Sequence, residues 1–343
     1  MTPMNSVLIV DDERPVRDIM SRWAKGLGLD SQTADSAEEA LAALRTYQPD
    51  MAIIDVMMPG HDGLWLATRL QRDHPHTAVV IATGRGDMLE REAPDATTTQ
   101  RGIADFLIKP LERERFELAV DRGRQWRKET LEERRWNARL AFELRDRTNE
   151  LCAMLRERTR GASEFDMLTT SMRDRVPEVV AHSERVARFS LSIARALEIP
   201  GEACDVLETA AKMHDVGKAA MPEALVTKPS SLTTGETAIM RRHVDAGAEI
   251  LSATESLAGA APIVLASHEQ FGGAGYPRQL AGSAIPLASR IIAVADAYDA
   301  MTQDRAYRRH LDSFEAVAEL RRGCSKQFDP TIVDAFLSVL GRH

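Results

Sequence analysis

The sequence is poor in cysteine: Cys152, Cys204 and Cys324 are the only three in 343 residues, far apart and with no CxxC pair. That excludes a disulfide scaffold or a zinc ribbon and fits a reducing cytosol. An excess of positive charge is also missing. The formal net charge is −8 and the pI about 5.7, which argues against broad binding to duplex DNA or RNA. A local basic pocket for a small anion is still compatible with that balance. The opening MTPMNSVLIVDDE reaches Asp11 and Asp12 without a basic segment and a longer apolar run, so no signal peptide is expected. No run of about 18 apolar residues occurs, so no membrane span is expected either, and the chain reads as cytoplasmic.

What is there suggests two domains and connecting material. Up to Pro110, short apolar runs alternate with helical patterns. Val7–Val10, Met51–Val56, Ala78–Ala82 and Phe106–Ile108 read as strands, and Pro15–Leu27, Ala37–Arg45 and Leu64–Asp73 as helices. Such alternation predicts a parallel sheet covered on both faces. Residues 111–160 are rich in Arg, Glu and Leu and contain no proline. Leu140, Leu144, Leu151 and Leu155 recur at four- and seven-residue steps, which predicts a long amphipathic helix. It is either a short dimeric coiled coil or a single solvated helix. Beyond the interruption at 161–163, Val186–Leu197, Ala203–His214, Gly235–Leu251, Ile285–Met301 and Phe314–Gly323 all read as helix. This half is expected to be all-helical, with one functional loop in the glycine-rich Phe271–Pro286.

Five polar residues fall at strand ends of the first half. Asp11 and Asp12 follow the first strand, Asp55 ends the third, Thr83 ends the fourth and Lys109 follows the fifth. In a parallel α/β sheet these ends gather at one edge. Three carboxylates there hold a hard cation such as Mg2+, which neutralises charge as a phosphoryl group moves onto a carboxylate. The lysine and the hydroxyl can contact the phosphoryl oxygens. One such residue alone is an ordinary strand end; five in register are not. With VDDE at 10–13, DVMMPGHDG at 55–63, Thr83 and KP at 109–110, residues 5–122 resemble a response-regulator receiver. The resemblance implies a flavodoxin-like, doubly wound five-stranded sheet. It also implies phosphorylation of Asp55 by a sensor histidine kinase, Mg2+ on Asp11, Asp12 and Asp55, phosphoryl sensing by Thr83 and Lys109, and a switching aromatic at Phe106. The stretch from Thr83 to Lys109 is longer than usual and contains Pro94, so the helix at the usual output face is expected to be irregular.

The second half carries the metal-capable residues Glu178, His182, His214, Asp215, His243, His268, Glu269, Asp296 and Asp299. Glu178 and His182 are four apart and share a helix face. His214 and Asp215 adjoin near a helix end, with Lys218 four residues after His214. Asp296 lies in the apolar run RIIAVADAYDAM, where a carboxylate is costly without a cation or a hydrogen-bond partner. A lone histidine on an apolar helix is more often a core residue. That reading weakens where the histidine adjoins Asp and others recur downstream. Mixed imidazole and carboxylate ligands suit Fe, Mn, Co, Ni or Zn rather than Ca, and Asp215 could bridge two metals. His74, His76 and His310 have no such setting and read as surface residues.

HSERV at 182–186, HDVGK at 214–218, the isolated His243, SHEQFGGAGYP at 267–277, ASRIIAVADAYDAMTQDRAYR at 288–308 and FDP at 328–330 together resemble the HD-GYP family of HD phosphohydrolases over residues 165–340. The resemblance implies an all-α, metal-dependent phosphodiesterase acting on cyclic di-GMP with two or three transition metals, Fe or Mn. His182, His214, Asp215 and Asp296 would form the core site. Asp215 would bridge to a second metal on His243 and His268, and Glu178 would serve a third. Asp215 and Lys218 would be catalytic; Lys218, Tyr276, Asp299, Arg305 and Arg308 would hold substrate. The implied organisation is a receiver at 1–122, a helical linker at 123–163 through which a homodimer forms, and the phosphohydrolase at 164–343. Partners in cyclic di-GMP signalling are expected; DNA and membrane are not.

The chain departs from that pattern twice in one loop. Ser267-His268 stands where two histidines are usual, and Gly272-Gly273 where Asp-Gly is usual. Serine is a poor metal ligand beside imidazole. Two readings therefore stay open: an active cyclic di-GMP phosphodiesterase controlled through Asp55, or a weak or inactive module that binds a cyclic dinucleotide or a partner protein. Hydrolysis of another cyclic dinucleotide is a third.

Overall fold

The computed structural model describes residues 4–84, 102–157, 163–303 and 310–341. The chain divides into two compact units, Met1–Arg135 and Trp136–His343.

In the first unit, β1 (Ser6–Val10), β3 (Met51–Asp55) and β4 (Ala78–Thr83) are nearly continuous apolar runs, and every residue of β3 and β4 is buried. Strands covered on both faces need such runs. With β2 (Asp30–Ala34) and β5 (Ile103–Ile108) they form a parallel sheet in the order β2-β1-β3-β4-β5. No apolar run marks β2, because its sequence, DSQTA, is that of an exposed edge strand. Successive residues of β1 go to opposite faces. Leu8 and Val10 meet Ala37 and Ala40 of α2 (Ala37–Ala43) and Leu66 and Leu70 of α3 (Gly63–Asp73). Val7 and Ile9 meet Met20 and Ala24 of α1 (Arg14–Gly26) together with Phe116 and Val120. The sheet is thus doubly wound and five-stranded, as expected. The expected irregular helix before Lys109, with Pro94, lies outside the described residues.

Helix α4 (Arg113–Arg156) runs 44 residues. In its second half Leu140, Leu144, Leu151, Cys152 and Leu155 are buried in the same core as Leu168 and Met172 of α5 (Glu164–Arg175). This corrects the expectation of a dimeric seam or a solvated helix: the leucine stripe is satisfied within its own chain. The compact division after Arg135 falls within this helix, inside the expected linker at 123–163.

The second unit is helical, with α6 (Pro177–Ala196), α7 (Gly201–Met213), α8 (Glu223–Val226), α9 (Thr234–Arg241), α10 (His243–Leu251), α11 (Ala261–Leu265), α12 (Leu287–Thr302), α13 (Ser313–Arg322) and α14 (Pro330–Leu340). The single helix expected over Gly235–Leu251 is two, broken at Arg242. The backbone tightens there, with Arg242 N–H on the Ile239 carbonyl, and the His243 ring takes the Met240 carbonyl at 2.9 Å. A side chain that competes for a helical carbonyl marks a helix end. Here that end aims His243.

Candidate active site

In the first unit the strand ends converge as expected. Lys109 Nζ lies 2.9 Å from Asp11 Oδ2 and 3.1 Å from Asp55 Oδ1. Asp11, Asp12 and Asp55 can present one oxygen each to a common cation. Asp11 and Asp55 are buried and Asp12 is exposed. Gly63, at the start of α3, lies so close to the Asp55 carbonyl that a Cβ there would overlap it. That closeness explains the small residue in DVMMPGHDG. Burial pushes the Asp55 carboxyl up, assisted by the Asp11 and Asp12 charges and opposed by Lys109. Thr83 is buried at the end of β4, and Phe106 is buried among the apolar side chains of the α2/α3 face.

The second unit brings its histidines together through close packing of two segments. After α7 the HDVGK motif enters a 3-10 turn, Val216–Ala220. A Cβ on Gly217 would overlap the His243 carbonyl oxygen, so the glycine lets this turn lie directly on α10. Asp215 then sits between two clusters: His182 and His214 on one side, His243 and His268 on the other. Asp215 Oδ2 is 3.5 Å from His214 Nε2, and Oδ1 is 3.3 Å from His243 Nε2. His243 Nε2 and His268 Nε2 are 3.2 Å apart. The rings of His214 and His243 each direct Nδ1 at a backbone carbonyl three residues back, Ala211 at 2.8 Å and Met240 at 2.9 Å, which turns Nε2 inward. Asp296 Oδ1 reaches His182 Nε2 at 3.0 Å.

The electrostatics suit cations. Burial opposes ionisation of Asp215, yet Lys218, whose Nζ is 2.6 Å away, and His214 and His243 hold it well below the usual carboxylate range. Burial and the His243 charge push His268 down to about 4, so its ring is neutral and available as a ligand near neutral pH. Asp215 Oδ1 is buried without a hydrogen bond. A buried carboxylate oxygen left over among inward-facing imidazoles is a donor set that two transition metals would complete. The residues therefore fit the expected metals.

Not every expected residue joins. Glu178 is exposed in the first turn of α6 and belongs to neither cluster found among the described residues. Ser267 is buried, and its hydroxyl donates to the Val264 carbonyl at 2.8 Å rather than facing the histidines. Tyr276 stacks on His268, ring centres 5.1 Å apart, and burial pushes its hydroxyl up to about 12. Asp299 is 1% exposed, with Oδ1 accepting from Arg185 Nε and Oδ2 from Arg185 Nη2 and lying 2.7 Å from His182 Nδ1. Arg305 and Arg308 lie outside the described residues.

Two residues escaped the reading of the sequence. Arg185, inside HSERV, grips Asp299. Arg241 lies over the Tyr276 ring at 5.1 Å, an exposed cation at the rim of the site. The three-residue step from His182 to Arg185 was a legible sign of a shared helix face. Nothing in the sequence pointed to Arg241.

Strand-end carboxylates suited to accept a phosphoryl group, on a chain that also builds an imidazole–carboxylate site, are the parts of a receiver and a metal-dependent hydrolase. Comparison with known proteins shows the same pair. The response regulator receiver domain family matches residues 7–121, and the HD domain family matches residues 166–332. The cyclic di-GMP phosphodiesterase response regulator RpfG of Xanthomonas campestris pv. campestris is 31% identical over 340 residues, 97% of this chain and 87% of that protein. A cyclic di-GMP phosphodiesterase of Thermotoga maritima is 30% identical over 349 residues, 97% of this chain and 90% of its own. A 3'3'-cGAMP-specific phosphodiesterase 2 of Vibrio cholerae is 34% identical over 172 residues, 50% of this chain and 33% of that protein. The chain belongs to the family of response regulators whose output is an HD-type phosphodiesterase domain.

Proposed function

We propose that the protein hydrolyses cyclic di-GMP under the control of phosphorylation at Asp55. The observation that carries this is the pair of ligand clusters sharing Asp215. Residues 1–122 receive the phosphoryl group, 123–163 connect, and 164–343 hydrolyse. The phosphodonor is a sensor histidine kinase, and the setting is the cytoplasm; among the described residues no helix is long and apolar enough to cross a membrane.

In the receiver, Asp11, Asp12 and Asp55 hold Mg2+, and Lys109 and Thr83 engage the new phosphoryl oxygens while Phe106 follows the switch. In the output domain His182, His214, Asp215 and Asp296 hold one transition metal, and Asp215, His243 and His268 a second, Fe or Mn. Two such metals lower the pKa of water and offset charge on phosphate oxygens. Asp215 joins the two sites. Lys218, paired with Asp215, offers its ammonium to a non-bridging phosphate oxygen. Tyr276, stacked on His268, helps to hold the substrate beside the metal site. A homodimer through the linker has to use a face other than the buried leucines; Phe142, 70% exposed on α4, lies on such a face.

The test is anaerobic purification, Mn2+ or Fe2+ loading, and an assay of cyclic di-GMP hydrolysis with bound metal counted in the same sample. Turnover with two metals per chain is expected, and Asp215→Ala is expected to lower kcat by more than about a hundredfold, beyond the cost of losing an outer-shell partner. Asp55→Asn is expected to remove the response to phosphodonor. Ser267, turned away from the histidines, favours a second reading, a module that binds cyclic dinucleotide without turnover. Metal-loaded protein that binds cyclic di-GMP and yields no product would establish it. Competition between cyclic di-GMP and 3'3'-cGAMP decides the substrate.

A further inference from the structure

His182 differs from the other inward-facing histidines in how its ring is held. His214 and His243 stand at helix ends, where a carbonyl three residues back is free to accept Nδ1–H. His182 stands inside α6, where the carbonyls of the preceding turn already accept backbone N–H groups. It needs an acceptor from elsewhere, and α12 supplies one. Asp299 Oδ2 lies 2.7 Å from His182 Nδ1. The same carboxylate takes Arg185 Nε on Oδ1 at 2.6 Å and Arg185 Nη2 on Oδ2 at 2.9 Å. His182 and Arg185 are three apart on α6, and Asp296 and Asp299 three apart on α12, so each pair shares a helix face. The two faces interlock: Asp296 and Asp299 hold the two nitrogens of one ring.

We propose that Asp299 and Arg185 are positioning residues that lock His182 in the tautomer and orientation presenting Nε2 to a metal, and that Asp299 does not hold substrate. Three features carry this. Asp299 is 1% exposed, so a ligand cannot reach it without rearrangement. Both its oxygens are engaged. An anionic acceptor on Nδ1–H also makes Nε2 a stronger donor than a backbone carbonyl does. Arg185 completes the arrangement by compensating a buried carboxylate that would otherwise be costly. The inference rests on the metal site proposed above and not on turnover.

The experiment titrates Mn2+ into the full-length apoprotein and its variants by competition with a fluorescent chelator, with KM and kcat measured at saturating Mn2+. For Asp299→Ala one Mn2+ site is expected to weaken about ten- to a hundredfold, the range for lost outer-shell partners. KM should stay within about twofold of wild type once that site is refilled. Asp299→Asn keeps an acceptor for His182 but loses the charge pair with Arg185, and should weaken the site less. Wild-type Mn2+ affinity in Asp299→Ala, with a raised KM, would overturn the proposal and return Asp299 to the substrate. Should Asp299→Ala fail to fold, the same titration on Asp299→Asn and Arg185→Gln decides, and unchanged affinity in both overturns it. A wild-type protein that takes up no Mn2+ would remove the metal site itself and the clamp with it, whereas metal uptake without hydrolysis leaves the clamp standing and removes only the enzymatic reading.

Discussion

At the scale of single residues, the site depends on which ring nitrogen each histidine turns inward. Nδ1 of His182, His214 and His243 faces a carboxylate or a carbonyl, and the Nε2 atoms turn inward, His182 to Asp296 and His214 and His243 to either oxygen of Asp215. Ser267 takes no part, because its hydroxyl is committed to the Val264 carbonyl. Ser267→Ala is therefore expected to leave metal content and kcat unchanged and to cost only about 0.5–1.5 kcal/mol of stability for one lost hydrogen bond. A loss of bound metal in that variant, measured by elemental analysis, would show that the serine is a ligand after all. The presence of imidazoles and carboxylates here was legible from HDVGK and its neighbours. Their pairing was not, since nothing in the spacing shows that Asp299 is buried against His182 and Arg185.

At the scale of elements, α4 carries an apolar stripe whose partner the sequence left open. Leu144 is buried with Leu140, Leu151 and the α5 residues Leu168 and Met172. Leu144→Ala should cost about 2–5 kcal/mol, as for large-to-small changes in a core, with no change of molar mass in light scattering. Dissociation of an oligomer on that substitution would restore the coiled-coil reading. The start of α9 is equally specific. Glu236 closes a capping box with Thr233, and its carboxylate also receives Lys228 Nζ at 2.5 Å and Trp136 Nε1 at 3.2 Å. The Lys228 hydrogen bond leads in holding its carboxyl at about 2, against an ordinary 4.5. A depressed pKa contributes stability above the unfolded value that is lost as pH falls through the folded one. Glu236→Gln should thus cost about 1–3 kcal/mol at neutral pH. The difference should fade between pH 4.5 and 2, read from denaturant midpoints; a gap that persists at low pH would assign the effect to packing.

At the scale of the whole molecule, two compact units with separate cores predict separate responses to ligands. Metal bound at about a hundred times its Kd stabilises the folded state by about 2.7 kcal/mol. For a unit of this size that is a Tm shift of about 5–10 °C. With Mg2+ kept in excess, chelation of the transition metals is expected to lower the melting transition of the helical unit by that amount and to leave the transition of the sheet unit in place, as scanning calorimetry would show. Equal movement of both transitions would mean that the units melt as one.

The sequence by itself determined the strand-end carboxylates, the division into α/β and helical parts, and the order of the metal-capable residues, because each of these rests on periodicity and spacing along the chain. β2 escaped because an edge strand may be polar and still pair. Only tertiary structure decided that Leu140 and Leu144 pack inward, that the helix over 235–251 breaks at Arg242 to aim His243, that Glu178 stays outside the clusters and that Asp299 lies against His182. Those outcomes depend on what approaches a side chain from a distant part of the chain, and spacing carries no record of that.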